Sequence, residues 1–396
     1  MYFFEREGWK IRTESPAQRA EREANTRKEL GDKAYRQLTE PALPDEDKKW
    51  GVHNRVEVTP VDAHALYRFN DTFIDVRGAP LEEKRGLMTF LFLVFGVGLG
   101  GGMADLAIEA VNRDFFVDAE IAKVSDKLAV LLMCVVVVGY LFFIYKFLLP
   151  FARTEIFTQR HIIVRFNRKT RQVYIHRPKF AGGLVVMPWE HTYAGINPDL
   201  PDASVIGESL IVAWPAELSG AGYDESAFLG EPMDGNLQVM GLWEYIRRYM
   251  EEGPDAVPKP KRLRPLFPWP WASIRAVLNF MAPVWRRGGQ AYALLFGLVL
   301  SPLMLLHAVC HWLSLLLCWP VRWPKEIAQA GQPGKPVPKL TVAEDFGEPI
   351  ASYLRANTLA DQKQLERLQR RAARRLARRQ QREAAKAAAA EQDTEH

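Results

Sequence analysis

Cysteine is scarce in this chain: Cys134, Cys310 and Cys318 stand alone inside apolar segments, with no C-x-x-C spacing. That excludes a disulfide scaffold and reads as three small buried hydrophobes. The patterns G-x-S-x-G, H-E-x-x-H and G-x-x-x-x-G-K-[ST] are absent as well, so no nucleophile, zinc or phosphate fingerprint argues for an enzyme. The expectation is no catalytic residue, no cofactor and no metal site. The opening MYFFEREGWK has only Tyr2–Phe4 as an apolar start before charges intervene, too short for a cleavable signal core. Charge of one sign is lacking too. A formal net charge of +5 over 396 residues makes the distribution of charge more informative than its sum.

What is present is apolar sequence gathered into blocks. Gly86–Ala104 and Leu128–Tyr145 carry no charge, and each approaches the roughly 20 residues that a helix needs to cross the hydrocarbon core. Lys146 can snorkel and Pro150 marks the exit, so residues 86–150 are predicted to form a transmembrane hairpin. Gly96, Gly98, Gly100 and Gly102 give small-xxx-small spacing. They predict close helix contact, either within the hairpin or with a second copy of the chain. A nucleotide loop would need a preceding strand and an aqueous helix start, which these glycines lack. Lys and Arg outnumber acids outside the hairpin. Arg77, Lys84 and Arg85 precede it, and Lys146, Arg153, Arg160 and Arg165 follow. The positive-inside rule then places both outer ends in the cytoplasm of a multi-pass inner-membrane protein.

Residues 151–253 change character. His161–Phe166 and Gln172–His176 are strand-like, with a polar turn at Asn167–Arg171, and further short runs follow. Val239, Leu242, Trp243, Ile246 and Tyr249 recur at helical spacing. Short strands closed by one amphipathic helix outline a small barrel or sandwich of pleckstrin-homology (PH) type. The expected fold class is thus an α+β membrane protein: a transmembrane hairpin, a cytoplasmic PH-like unit with a C-terminal helix, a second hydrophobic helical block and a basic C-terminal helix. A charged N-terminal region, 1–85, precedes the hairpin.

The strings RFNRKTRQVYIHRP, MPWEH and LWEYIRRYMEEGP resemble an uncharacterised family of Gram-negative membrane proteins, in which a PH-like domain follows a hydrophobic helix pair. The likeness spans roughly residues 55–255 and rests on Phe166, Asn167, Arg168, Lys169, Trp189, Trp243, Arg247 and Tyr249. It brings no residue roles. It implies an association with type VI secretion effectors, and hence an immunity or accessory protein that binds a membrane-active toxin.

Three regions remain. Residues 254–290 are a Pro-rich basic linker and an interfacial segment, in which Trp269, Trp271 and Trp285 accompany Arg275, Arg286 and Arg287. Residues 291–321 carry no formal charge and are too long for one upright span. A shallow hairpin bent at Ser301-Pro302 is preferred over one kinked span. His307 and His311 share a helix face, but no further ligand stands near them in sequence. In residues 322–396, Asp361–Arg382 forms a basic helix, with Arg370, Arg371, Arg374 and Arg375 among its cations. These four, together with Arg165, Arg168, Lys169 and Arg171, are the candidate contacts for anionic lipid; nucleic acid is the weaker reading. The expected partners are the bilayer, a protein, and a second copy through the glycine-rich helix. A membrane-tethered recognition protein is preferred over a lipid-binding scaffold. A channel subunit ranks last, because the spans hold almost no polar residues.

Overall fold

The computed structural model of the chain describes residues 2–39, 49–79, 81–117, 120–121, 123–196, 208–233, 235–288 and 290–394. Nine strands form two antiparallel sheets among them. They are β1 (Lys49–Gly51), β2 (Leu66–Phe69), β3 (Phe73–Arg77), β4 (Ile163–Asn167), β5 (Gln172–His176), β6 (Leu184–Pro188), β7 (Tyr193–Ile196), β8 (Glu208–Trp214) and β9 (Glu225–Met233). One sheet runs β2-β3-β4-β5-β6 and the other β1-β7-β8-β9. The longer helices are α1 (Phe3–Arg12), α2 (Pro16–Thr39), α3 (Leu87–Val117), α4 (Val124–Ala152), α5 (Asn236–Glu251), α6 (Pro270–Gly288), α7 (Gln290–Leu316) and α8 (Ile350–Thr394).

Strand alternation builds the core. Ile74 and Val76, Val164 and Phe166, Val173 and Ile175, and Val185 and Met187 point one way from the five-stranded sheet and are all buried. They meet Leu210, Val212, Trp214 and Leu229 from the other sheet and the apolar face of α5, including Leu242, Trp243 and Ile246. Trp189 links the layers, edge-on to Phe166 at 5.8 Å and beside Trp243 at 5.6 Å. The opposite face of the larger sheet is covered as well. Trp323, Ile327, Ala330 and Leu340 lie over Tyr174, Leu184 and Val186, and Thr341 exchanges hydrogen bonds with the Val186 backbone. Residues 319–342 thus strap a sheet that would otherwise present its second face to water.

Among the described residues, three helical segments are long and apolar enough to cross a membrane: α3, α4 and Gly297–Leu316 within α7. The first two form the predicted hairpin, but α3 continues past Ala104 through Asp105, Glu109 and Asp114 to Val117. At about 1.5 Å per residue it exceeds the hydrocarbon thickness, so its last turns carry charge. The hairpin emerges from the sheet rather than preceding it. Ile74 of β3 pairs with Phe166 of β4, and Arg77 with Ile163, so α3 and α4 fill the connection between two adjacent strands. The strand-rich unit therefore draws β1–β3 from the segment that reads in sequence as a charged N-terminal region.

The turn-back expected at Ser301-Pro302 is not where the chain turns. Pro302 lies inside continuous α7. A proline leaves the carbonyl four residues earlier without its N–H donor, and here the Ser301 hydroxyl donates to that carbonyl, Leu298 O, at 2.7 Å. The return arm is α6, antiparallel to α7: Trp312 Nε1 donates to Pro268 O at 2.9 Å, and Ser273 meets His311. Residues 291–316 of the second block are thus one continuous helix, as in the competing single-span reading, and α6 packs back along it. The side chains of Trp285, Arg286 and Arg287 lie outside the described residues.

The terminal helices dock on the same unit. Arg12 of α1 reaches Glu225 of β9, which also accepts both Nη atoms of Arg177, and Arg19 pairs with Asp361 of α8. Burial would raise the Glu225 carboxyl, but Arg12 and Arg177 outweigh it and hold it at about 2 against an ordinary 4.5. The native state then binds fewer protons than the unfolded chain between those values. The clamp therefore stabilises fully above about pH 4.5, and its contribution is lost as pH falls through about 2. Glu225→Gln should leave Arg177 buried without its counter-charge and cost about 3–5 kcal/mol, read as a lower melting temperature at pH 7 in detergent. An unchanged melting temperature would contradict the clamp.

Candidate recognition cleft at the helix–sheet junction

The long apolar helices meet the sheets around two buried charged residues. Arg85, fully buried, donates from Nη1 to Tyr2 Oη at 3.0 Å and to Arg160 O at 2.7 Å, and from Nη2 to Glu155 O. Its guanidinium also lies 3.0 Å from Cys318 Sγ and 5.1 Å from the Tyr2 ring centre. One side chain thereby ties α1, the start of α3, the end of α4 and the end of α7 together. Glu155 completes the joint. Its Oε2 accepts from Gly86 N, Thr89 N and Thr89 Oγ1, each at 3.0 Å, so a carboxylate satisfies backbone donors at the N-terminus of α3 and faces its positive dipole end. Gly86 has φ +110°, and a Cβ there would come within 2.7 Å of His311 N. Glycine is the residue that permits α7 to approach so closely.

The two histidines of α7 bind the same segment. His307 Nε2 donates to Arg85 O at 2.8 Å and His311 Nε2 to Glu82 O at 3.2 Å, while His311 Nδ1 accepts from Ser273 Oγ at 2.9 Å. A carbonyl can only accept, which fixes the tautomer. Their role here is to hold α7 against the entry to α3. Among the described residues no group of three or more His, Cys, Asp or Glu is placed to hold a metal ion.

Beside this joint opens a cleft of about 370 Å³ between the sheets and the α6–α7 pair. Its floor is a buried polar chain. Glu82 Oε1 lies 2.5 Å from His161 Nδ1, and Tyr67 Oη sits 3.1 Å from the same nitrogen. Arg77 bridges Glu82 and Glu231, and Arg264 reaches Glu231 from the linker. Burial pushes the Glu82 carboxyl up, but His161, Arg77 and Arg264 overcome that and hold it well below the usual carboxylate range. His161 is buried, and its Nε2 has no hydrogen-bond partner among the described residues. A carboxylate-oriented imidazole suits proton transfer; among the described residues no Ser, Thr or Cys lines the cleft beside it. The rim is different: Arg262, Arg275, Phe267 and Trp271 are exposed around it, and Trp271 stacks on Trp269 with centroids 4.7 Å apart. The acids are matched by Arg77, Arg264 and His161, so the rim arginines are surplus positive charge.

The lipid contacts expected from sequence divide. Arg165 is buried, with Nε and Nη2 on the Asp75 carboxylate at 2.6 and 2.9 Å, between the rings of Phe73 and Trp323. It presents no charge to solvent. Arg171 pairs with Glu190 and Glu251, Arg168 packs beside Gly253, and Lys169 is exposed. All three sit on the turn at the end of β4 opposite to Ile163, which pairs with Arg77 on the helix side. Arg370, Arg371 and Arg374 are exposed on α8, and Arg370 faces Glu366. The Arg375 side chain lies outside the described residues. Among the glycines, Gly100 is buried, and a Cβ on it would come within 3.5 Å of Tyr140 and 3.6 Å of Leu141 of α4. Gly98 and Gly102 are exposed and Gly96 touches only Phe92 of its own helix. Of the motif residues, Phe166, Trp189, Trp243 and Tyr249 are core, Asn167 caps its own turn, and Arg247 pairs with Glu244 and Glu252.

Residues 229–333 match a family of unknown function (DUF6708). The match takes in the second half of the last strand, α5, both helices beside the cleft and the first part of the strap. It covers well under half of the chain. No curated protein and no solved structure matches.

Sequence reading missed Arg85, Glu155, Glu82 and His161 because their partners are distant in the chain. Only the position of Arg85 and Glu155 at the two outer ends of one hairpin hinted at proximity. Glu155→Ala should strip three buried donors of their acceptor and cost at least about 2 kcal/mol, seen as a lower melting temperature in detergent. Glu155→Gln keeps an acceptor oxygen and should recover most of it. Equal losses would show that the hydrogen bonds to α3 contribute little.

Proposed function

We propose that this protein is a membrane-anchored recognition protein, whose junction cleft grips an acidic segment of a partner protein. The rim of Arg262, Arg275, Phe267 and Trp271 carries the reading. Exposed Trp and Arg clustered at a concave site are the composition of binding hot spots, and the surplus arginines favour carboxylates. The rigid floor supports it further, since a preorganised site loses less entropy on binding.

A PH-like architecture is part of the proposal. The run β3-β4-β5-β6, then β7-β8-β9, then α5 supports it, with β1 and β2 as additions and the membrane hairpin as an insertion. The sheets and both terminal helices cluster at one end of the hairpin. The basic residues there support a cytoplasmic location for all of them, at an inner membrane crossed several times. The resemblance to proteins found beside type VI secretion effectors gives the partner class: a membrane-active antibacterial toxin, which the protein neutralises as an immunity or accessory factor. A second reading, a lipid-binding scaffold, draws on the exposed arginines of α8.

Expression of the chain should protect cells that carry the toxin encoded next to it. Trp271→Ala with Arg275→Glu should lower protection by at least about tenfold in surviving colonies, at equal abundance in the membrane fraction. Full protection by this variant, or none by the unaltered protein, would sink the proposal.

A further inference from the structure

On another side of the same junction, where α1 crosses the end of α4, lies an open cavity of about 460 Å³. Its polar lining is Arg6 from α1, with Lys146, Arg153 and Thr154 from the end of α4; Tyr145, Leu149, Pro150 and Phe180 supply the apolar part. No carboxylate lines it, and none of the three cations is in an ion pair among the described residues. Elsewhere in the strand-rich unit Arg12, Arg77, Arg165, Arg171, Arg177 and Arg247 are each matched by acids, while Arg85 and Arg160 are held by carbonyls.

Arg6 is held in place rather than free to wander. Tyr2 N donates to Thr154 O at 3.0 Å, Tyr2 Oη to Arg160 O at 2.6 Å, and Arg6 Nη1 to Pro150 O at 3.3 Å. These bonds bring a cation from the start of the chain beside two others about 140 positions later. Lys146 lies over the rings of Phe142 and Phe147, so its ammonium is steered to one level. That level is the exit of α4, where an unbroken apolar helix meets Pro150. Phe142, Phe143, Tyr145, Phe147 and Phe151 are exposed along the same turns, as suits a surface wetted by acyl chains and headgroups.

Three unmatched cations at headgroup depth, beside apolar side chains that continue along a spanning helix, fit one ligand class. We infer that this cavity binds the phosphate of an anionic phospholipid. Arg6 and Arg153 hydrogen-bond the phosphate oxygens, Lys146 adds charge, and the acyl chains run along the exposed aromatic face of α4. A guanidinium fork matches phosphate oxygens in geometry. The site also explains the docking of α1: a lipid bound between α1 and α4 joins the N-terminal helix to the bilayer.

The test uses the full chain in nanodiscs of phosphatidylcholine with or without one fifth phosphatidylglycerol, with retained lipid counted by native mass spectrometry. The unaltered protein should retain phosphatidylglycerol in clear preference to phosphatidylcholine. Lys146→Ala with Arg153→Ala should lower that retention by roughly tenfold or more, given about 1 kcal/mol per basic residue at an anionic surface. Lys146→Arg with Arg153→Lys should keep most of it, which separates a lost site from a lost fold. Lys259→Ala with Lys261→Ala removes the same charge from two exposed linker positions and should change little. An equal loss from this linker pair would reduce the effect to bulk electrostatics and overturn the site. Displacement of the lipid by millimolar inorganic phosphate would overturn the lipid as its ligand, and absence of any preference in the unaltered protein would refute the inference outright.

Discussion

A buried guanidinium has five N–H donors and no acceptor, so a fold that encloses one must arrange oxygen atoms around it. Arg85 obliges the fold to do this where the start of α1, both ends of the hairpin and the end of α7 converge. Its acceptors are the carbonyls of Glu155 and Arg160 and the hydroxyl of Tyr2, which belong to the exit of α4, the approach to β4 and the start of α1. Glu155 repeats the logic with opposite sign, since its carboxylate needs donors and finds them on Gly86 and Thr89. The charges are not exchanged directly between the two side chains. Each finds partners on the backbone that the other helps to fix, while Arg85 Nε and Glu155 Oε1 are buried without a hydrogen-bond partner among the described residues. The mouth of the membrane hairpin is closed by these bonds, and β3 and β4 can pair because it is closed.

That closure explains why the hairpin is tolerated inside a sheet. Antiparallel neighbours are usually joined by a short turn, and a long insertion is cheap only if its ends stay together. Here α3 and α4 leave and return side by side, with Tyr140 Oη donating to Phe95 O at 3.1 Å and Gly100 seated against Tyr140 and Leu141. The insertion presents the sheet with two ends already at the right spacing. A flexible loop of equal length would carry a closure cost that the hairpin avoids, although that cost grows only with the logarithm of loop length.

Uniform apolarity made the hairpin legible in sequence, because nothing soluble needs Leu128–Tyr145 to be greasy on every face. The strands from Ile163 onward were legible for a similar local reason. What escaped was everything set by distant pairing. Leu66–Phe69 and Phe73–Arg77 are short and stand among charges, and only β4 turns them into a sheet. Arg165 reads as a cation on a strand of a solvated hairpin, yet its strand is buried on both faces because residues 319–342 come back over it. Ser301-Pro302 reads as a bend by the ordinary rule for proline. The hydroxyl beside it repairs the missing hydrogen bond, so the turn moved to a segment whose tryptophans and arginines had suggested an interfacial helix.

The cleft and the joint share a wall, and this gives the recognition reading its mechanical content. Glu82 contacts His161 through its carboxylate and His311 through its carbonyl. Its neighbour three residues on is Arg85, whose carbonyl holds His307. A ligand that draws Arg264 away from Glu231 would leave Glu231 to compete for Arg77, and Arg77 is a principal counter-charge of Glu82. Each step is a contact between adjacent groups in a low-dielectric site, where unpaired charge is costly. The cleft is therefore connected to the α3–α7 contact by charges that cannot be rearranged singly.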